Sequence, residues 1–480
     1  HEHCYRGGGG PRGHGRGHEA RDPGRTAGLP GGSDACPGHR GPVLADPGDA
    51  GLTVSPGRIA ALDALECAER GQRLDRSFRR AVRQLDGRER AFAHELAYGV
   101  TRLRGRLDTF LTPHVRRGLA RLDPELRPVL RSGLYQILYM NVPDYAAVSQ
   151  AVEQARGAGL GRASGLVNAV LRAAARAGDD PSLFPDPEID PAGYLASRGS
   201  HPLWLIERWL ARWTFRDVQR LVELNNTRPA LHIVPLDGDL ESARDRLLAA
   251  GAEVRVLPVP GSLEVAGLSP DRCLGVVDAF VQDPAASLVC RYIAPDPGAR
   301  VADLCAAPGG KALYLARRAG YLLAMDSSWP RLEVLRENVN RTGLPVGIVQ
   351  GRAESPPVGE VELVFLDVPC TGTGTLRRHP DARWRLTPAA PVELARVQGR
   401  ILRGAAAVVP PGGVLVYGTC TLEPEENGEV VEAFLRDHPE FEAAPPDDER
   451  LEIEENGWLQ VLPQVTEWDG AFAARLRRRP

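Results

Sequence analysis

The chain has 480 residues, 43% of them hydrophobic and 25% charged, a length that exceeds one ordinary domain and points to roughly three. With 59 basic against 62 acidic side chains the net charge is −3, which excludes a whole-chain nucleic-acid footprint and leaves that case to local clusters. No apolar run is long enough to span a bilayer, and no export signal opens the chain.

Residues 1–54 are rich in glycine and lack a periodic apolar pattern, so an unstructured tail is expected there, lying upstream of a natural start near Val54. From Ser55 the character changes. Ser55 and Pro56 suit an N-cap and first turn, and Ile59, Leu62, Leu65, Leu74, Phe78 and Val82 recur at helical spacing. Helical patterns continue to Gly178 without strand-like alternation, which predicts an all-α domain over 55–178. The Pro- and Asp-rich stretch 179–199 reads as a linker. Residues 200–275 resume with a helix from His201 and then suggest strand, helix and strand in a small α+β module.

A third domain is expected over 276–480. From Gly298 the runs ARVADLCA, YLLAMD, VGIVQG, VELVFLDVPC and GGVLVYGTC read as strands separated by helical stretches, implying a doubly wound, mostly parallel sheet. Ligands of such sheets sit beyond the carboxyl ends of the strands, and the suggestive residues fall there. The first strand ends at Asp303 and leads into Cys305, Ala306, Ala307, Pro308, Gly309, Gly310 and Lys311. Small residues let the backbone approach a ligand, and the helix that follows offers unpaired N–H groups. Asp326 ends the next strand at about the 20-residue spacing of an acid that takes ribose hydroxyls. An ordinary tight turn and a surface aspartate would share these features, and the turn is neither GxGxxG nor a Walker A loop.

Two more strand ends carry cysteines. One is DVPC, with Asp367 and Cys370, and the other is GTC, with Cys420. A lone cysteine is most often a small core hydrophobe, and Cys305 reads that way, its backbone lining the ligand site. Cys370 and Cys420 instead lie in Gly/Thr/Pro turns facing one crevice, where a neighbouring cation would activate a thiolate. The 8 cysteines show no CxxC pair and no zinc spacing, so reduced thiols of a cytoplasmic protein and no metal are expected. Lys311 is the single lysine; all other basic residues counted are arginine.

The set CAAPGGK, DVPC and GTC, flanked by FVQDPAASLV, LRRHPDARW, TLEPEENGEVV and DGAFAARLRR, resembles the RNA cytosine-5 methyltransferases of the Sun/Fmu (NOL/NOP2/Sun) family. The helical region, with RAFAHELAYGVTRLRGRLD, LRSGLYQILYMNVPDYAAVSQAVE and GLVNAVLR, is similar to the NusB-like RNA-binding domain fused to the bacterial 16S ribosomal RNA member. The resemblance covers about 55–480. It implies a NusB-like all-α domain, a small α+β module and a Rossmann-like domain that uses S-adenosylmethionine to methylate a cytosine of 16S ribosomal RNA, in a monomer. Transfer RNA is the competing substrate. A non-catalytic RNA-binding assembly factor is the reading from another class.

By the same resemblance Cys420 is the nucleophile that adds to the ring carbon next to the methylated one. Cys370 assists proton removal and release, and Asp367 holds the polar edge of the base. The backbone of 305–311, with Asp326 and Asp367, holds the donor. Lys311 would fit a crowded crevice that a planar guanidinium would not. Arg352 stands where the family usually places an aspartate for the donor's adenine edge, and arginine cannot accept a hydrogen bond. Arginine clusters, among them Arg76, Arg79, Arg80 and Arg83, then Arg102, Arg104 and Arg106, then Arg116 and Arg117, are expected to meet phosphates. Arg377, Arg378, His379, Arg383 and Trp384 are expected near the target base.

Overall fold

The computed structural model describes residues 54–480; the tail expected at the start of the chain lies outside the described residues, apart from Val54. The helical region folds as helices Pro56–Glu69, Leu74–Ala81, Gly87–Arg102, Arg104–Leu111, Leu126–Tyr139, Asp144–Gly157 and Ser164–Ala177 around one core that includes Leu65, Leu96, Leu107, Leu130, Leu134 and Leu171. Asp86 caps the third of these by accepting from the Glu89 amide at 2.9 Å. Gly99 lets that helix close on Leu126–Tyr139: a Cβ there would stand 2.1 Å from the Tyr135 hydroxyl oxygen.

The stretch read as a linker is partly helical. Its Pro191–Arg198 helix, capped by Asp190 on the Gly193 amide at 2.8 Å, buries Leu195 against helices Leu203–Leu210 and Phe215–Asn225. Proline at the first helical position starts this helix instead of breaking one. The small module also differs from the strand–helix–strand expectation. It forms an antiparallel sheet of β1 (Leu231–Pro235), β2 (Glu253–Val256), β3 (Leu263–Ala266) and β4 (Ala279–Val281), in the order β2-β3-β1-β4. The run taken as one strand is the β2–β3 hairpin, turned at Gly261 with φ +83°. The fourth strand lies past residue 275, inside the stretch assigned to the next domain.

The C-terminal sheet runs through β5 (Arg300–Asp303), β6 (Tyr321–Asp326), β7 (Val346–Gln350), β8 (Leu363–Asp367), β9 (Val414–Thr419), β10 (Phe441–Ala443), β11 (Leu459–Val461) and β12 (Ala471–Arg478). The strand order is β10-β12-β9-β8-β5-β6-β7, with β11 pairing β12. β7, β6, β5, β8 and β9 are parallel, as the alternating strand and helix patterns predict; the runs of the inner strands are buried on both faces, and β7 at the edge is half-buried. β12 enters antiparallel beside β9 and covers what would otherwise be an open edge. The chain leaves β5 for β6 on one side and reaches β8 on the other, so the order reverses between β5 and β8. That crevice is where a doubly wound sheet takes its ligand.

The segment after Cys370 joins the three parts, and here two expectations are corrected. Arg383 is fully buried and does not face RNA. Its guanidinium donates to the carbonyls of Ser200 (3.0 Å), Asn225 (3.1 Å) and Leu376 (3.2 Å) and to Asn226 Oδ1 (2.9 Å). Trp384 donates its indole N–H to the Thr101 carbonyl at 2.8 Å and lies under the Arg104 guanidinium. The cluster Arg102, Arg104 and Arg106 is likewise structural in part: Arg106 holds the Arg198 carbonyl at 2.8 Å, and Arg102 the Arg377 carbonyl at 3.3 Å. Carbonyl groups at helix ends need donors, and arginine supplies several in one plane. Arg79, Arg83, Arg116 and Arg117 remain exposed.

Replacing Arg383 with alanine strands three buried carbonyl acceptors and leaves a cavity, so we expect a loss on the order of 3 kcal/mol in denaturant unfolding. Arg383→Lys should recover little, because one ammonium cannot span acceptors on several segments. A midpoint unchanged in Arg383→Ala would contradict this role.

Candidate active site

At the reversal between β5 and β8 the turn 304–310 is pinned from both sides: the Leu304 amide donates to Phe365 O at 3.0 Å and the Ala306 amide to Met325 O at 2.8 Å. Gly309 has φ +113°, and a Cβ on it would lie 2.2 Å from Leu335 Cδ1, so glycine alone fits. The helix Gly310–Ala316 begins there and carries Lys311, whose ammonium donates to Asp367 Oδ2 at 2.8 Å. Burial would lower the Lys311 pKa, but the Asp367 carboxylate beside it outweighs burial and holds it above the usual lysine value.

Asp303, at the end of β5, is 1% exposed, and its Oδ2 has no hydrogen-bond partner. Burial, then the Asp367 carboxylate, push its carboxyl up to about 8. Gln282 stands nearby with an unpartnered Oε1, 3.1 Å from where a Cβ on Gly310 would be. Asp326 ends β6; it accepts from the Ser328 amide at 2.9 Å and pairs with Arg331 at 3.1 Å. Arg331 also donates to the Ala307 carbonyl, so one guanidinium bridges the acid and the glycine turn.

The ends of β8 and β9 bring Cys370 and Cys420 together with sulfurs 3.4 Å apart. The hydrogen bond to Cys420, then burial, hold the Cys370 thiol well above the usual cysteine value. Beneath the two turns lies the buried carboxylate of Glu426. It accepts from the Thr371 amide at 2.9 Å, from the Thr371 hydroxyl, from the Thr421 hydroxyl at 3.0 Å and from Gln398 Nε2 at 2.9 Å. The same amide of Gln398 reaches Pro369 O at 2.9 Å. Burial pushes the Glu426 carboxyl upward, and these donors work against that. A second buried acid, Glu423, accepts from Thr373 at 3.1 Å, from the Trp209 indole at 3.2 Å and from Arg208 at 2.9 Å, which ties the Cys420 turn to helix Leu203–Leu210.

The expected residues thus fall into three groups. Lys311, Asp367, Cys370 and Cys420 come together around the ends of β5, β8 and β9. Residues 305–310 and Asp326 line the neighbouring ends of β5 and β6, with the partly buried Cys305 side chain packed against the core. Arg352 follows β7, but its side chain is 72% exposed and pairs with Glu354 at 3.3 Å. Arg378 is bound inside the protein by Asp283 (2.6 Å) and Asp469 (2.7 Å). Sequence reasoning missed Glu426, Gln398, Arg331 and the orphaned oxygen of Asp303. Glu426 lies within TLEPEENGEVV, but nothing in that string tells a buried acid from a solvated one.

The strand order, the antiparallel β12 and the glycine turn at the reversal define a Rossmann-like methyltransferase domain, carried on one chain with an all-helical domain. The family described as 16S rRNA methyltransferase RsmB/F matches residues 290–477, and the NusB family matches 55–176. The chain is similar to ribosomal RNA small subunit methyltransferase B of Klebsiella pneumoniae, 32% identical over 88% of this chain and 98% of that protein. It is also similar to the protein of that name from Sodalis glossinidius, 31% identical over 87% and 96%. The crystal structure of PH0851 superposes with a TM-score of 0.72 at 27% identity, covering 89% of this chain and 100% of that one. NSun6 from Pyrococcus horikoshii, solved with SFG, shares the fold at 19% identity and a TM-score of 0.51, over 58% of this chain and 98% of that one. The chain belongs to the RsmB/F family of 16S rRNA methyltransferases.

The state of Asp303 gives a pH signature. An unfolded aspartate loses its proton near ~4, whereas the folded one keeps it up to about 8. Across that window the folded state binds the extra proton, so stability falls as pH rises. Asp303→Asn should flatten the pH dependence of the unfolding midpoint between about pH 5 and 8. An unchanged slope would count against a protonated Asp303.

Proposed function

We propose that this chain transfers the methyl group of S-adenosylmethionine to carbon 5 of a cytosine in 16S ribosomal RNA through a covalent adduct with Cys420. The observation that carries this reading is the pair of sulfurs 3.4 Å apart at adjacent strand ends, beside the Lys311–Asp367 ion pair. The substrate follows from the family and from the relatives that bear the small-subunit name.

Carbon 5 of cytosine is a weak nucleophile. Addition of the Cys420 sulfur to carbon 6 creates an enamine-like system whose carbon 5 attacks an electrophilic methyl group. The Lys311 ammonium, paired with Asp367 at 2.8 Å, acts electrostatically on Cys420. Cys370 is hydrogen-bonded to Cys420, and the family resemblance makes Cys420 the nucleophile. Once the methyl group is in place, the carbon 5 proton leaves, the carbon–sulfur bond breaks and the aromatic ring is restored; Cys370 serves these proton movements. Asp367, held by Lys311, accepts from the amino edge of the base. Protonation at the ring nitrogen would make carbon 6 more electrophilic.

The donor, when bound, supplies the methyl group on a positively charged sulfur. Two features fit it: the orphaned Asp303 carboxyl would give up its proton on meeting an ammonium group, and the small side chains at 306–310 leave the backbone open to a nucleoside. Asp326 would take the ribose hydroxyls in exchange for its contact with Arg331. Arg352 contributes no acceptor for an adenine edge.

Cys370→Ala, incubated with small-subunit ribosomal RNA and the donor, should accumulate protein joined to RNA on a denaturing gel, and Cys370→Ala/Cys420→Ala should not. Methylation by the wild type with no adduct in Cys370→Ala would refute the division of roles. A wild type that neither methylates nor binds donor would favour the assembly-factor reading. Lys311→Arg should lower turnover by about 10-fold or more at an unchanged unfolding midpoint; near-normal turnover would rule out the need for a compact ammonium.

A further inference from the structure

Outside the crevice, a cleft of about 570 Å³ opens between the helical domain and the helices Pro191–Arg198 and Phe215–Asn225. Arg102, Arg106, Arg198, Tyr135, Tyr139 and Tyr194 line it. Arg228 adds a fourth cation, against the carboxylates of Glu95 and Glu223. Glu95 is already committed to Arg228 and to the Tyr135 hydroxyl at 2.7 Å, and Arg198 pairs with Asp179, so the four cations of the cleft still outnumber the three acids Glu95, Glu223 and Asp179. Arg102 is 6% exposed, yet its Nε–H has no hydrogen-bond partner. A buried guanidinium with an unsatisfied donor is costly, and a bound acceptor would relieve that cost. The buried Tyr135 ring backs the half-buried Tyr139 ring, 5.2 Å away in a tilted pair, which leaves Tyr139 and Tyr194 as the faces open to a base.

Cations that satisfy a phosphate, beside phenol rings that accept a flat base, describe a nucleotide, and the volume lies in the range for one small ligand. We propose that this cleft binds one ribonucleotide unit, its phosphate on Arg102, Arg106 and Arg198 and its base on the tyrosines. Both walls meet the segment that follows Cys370: Arg102 donates to the Arg377 carbonyl at 3.3 Å, and Arg377 donates to the Arg228 carbonyl at 2.7 Å. A strand whose target base enters the crevice therefore has a second holding point on the far side of that segment. This inference rests on RNA as the substrate and not on the roles of the two thiols.

The test uses the full chain without donor, a single-stranded RNA carrying 4-thiouridine, and 4-thiouridine 5′-monophosphate, each irradiated and mapped by peptide mass spectrometry. The expected result is a crosslink on the peptides holding Tyr135, Tyr139 or Tyr194, reduced about 5-fold in Tyr194→Leu while crosslinks near Cys370 and Cys420 stay unchanged. Labelling by the RNA alone identifies the substrate strand as the source. Labelling by the monophosphate, displaced by unlabelled uridine monophosphate, identifies a free nucleotide. RNA crosslinked only near Cys370 and Cys420 overturns the cleft and leaves the methyltransferase reading standing. RNA crosslinked nowhere overturns the cleft, and the donor-dependent assay then judges the catalytic reading separately.

Discussion

The geometry of the crevice depends on one buried carboxylate. Glu426 takes donors from the turn after Cys370 and from the turn after Cys420, so two loops on different strands are fastened to a single acceptor group. It works together with direct bonds between the two turns, Thr371 to Thr421 at 2.7 Å and the Gly374 amide to Cys420 O at 3.0 Å, to keep the sulfurs 3.4 Å apart. Burying an acid is unfavourable unless its lone pairs are filled, and here they are filled by the groups whose position matters. Gln398 extends the same network to Pro369 and the Tyr417 hydroxyl, so the helix Ala390–Ala406 also supports the site.

A second constraint acts at larger scale. The stretch 376–384 leaves the Cys370 turn and runs between the three parts of the protein, giving Arg383 to the module and Trp384 to the helical domain. Arg378 pulls Asp283 and Asp469 together, which joins the start of helix Pro284–Ile293 to the approach of β12. The chain that leaves the Cys370 turn is thus the same piece that holds the three parts together, and a distortion at the interface would reach the cysteines through few covalent links.

Much of this was legible beforehand because it rests on local pattern. The five parallel strands show as short apolar runs ended by Asp, Gly or Cys, and the helical domain as a 3.6-residue period. Lys311, Asp367, Cys370 and Cys420 stand out because such residue types are rare at strand ends. β10, β11 and β12 escaped because short strands at a sheet margin carry little period of their own; β12 owes its place to pairing with β9. The Pro191–Arg198 helix was hidden by its prolines and aspartates, which suit a loop and a helix start equally well.

The sequence by itself determined the class of chemistry: a glycine turn before a single lysine, an acid at each of three strand ends, and two cysteines in polar turns. Which charges are solvated and which are buried was decided only by the tertiary structure. Arg383 and Arg79 are the same residue type in similarly basic stretches, yet one is fully buried and the other exposed. Glu426 and Glu429 sit three positions apart, and only the first is enclosed. Burial is a property of what packs opposite a side chain, often a hundred or more residues away, and no local pattern records it.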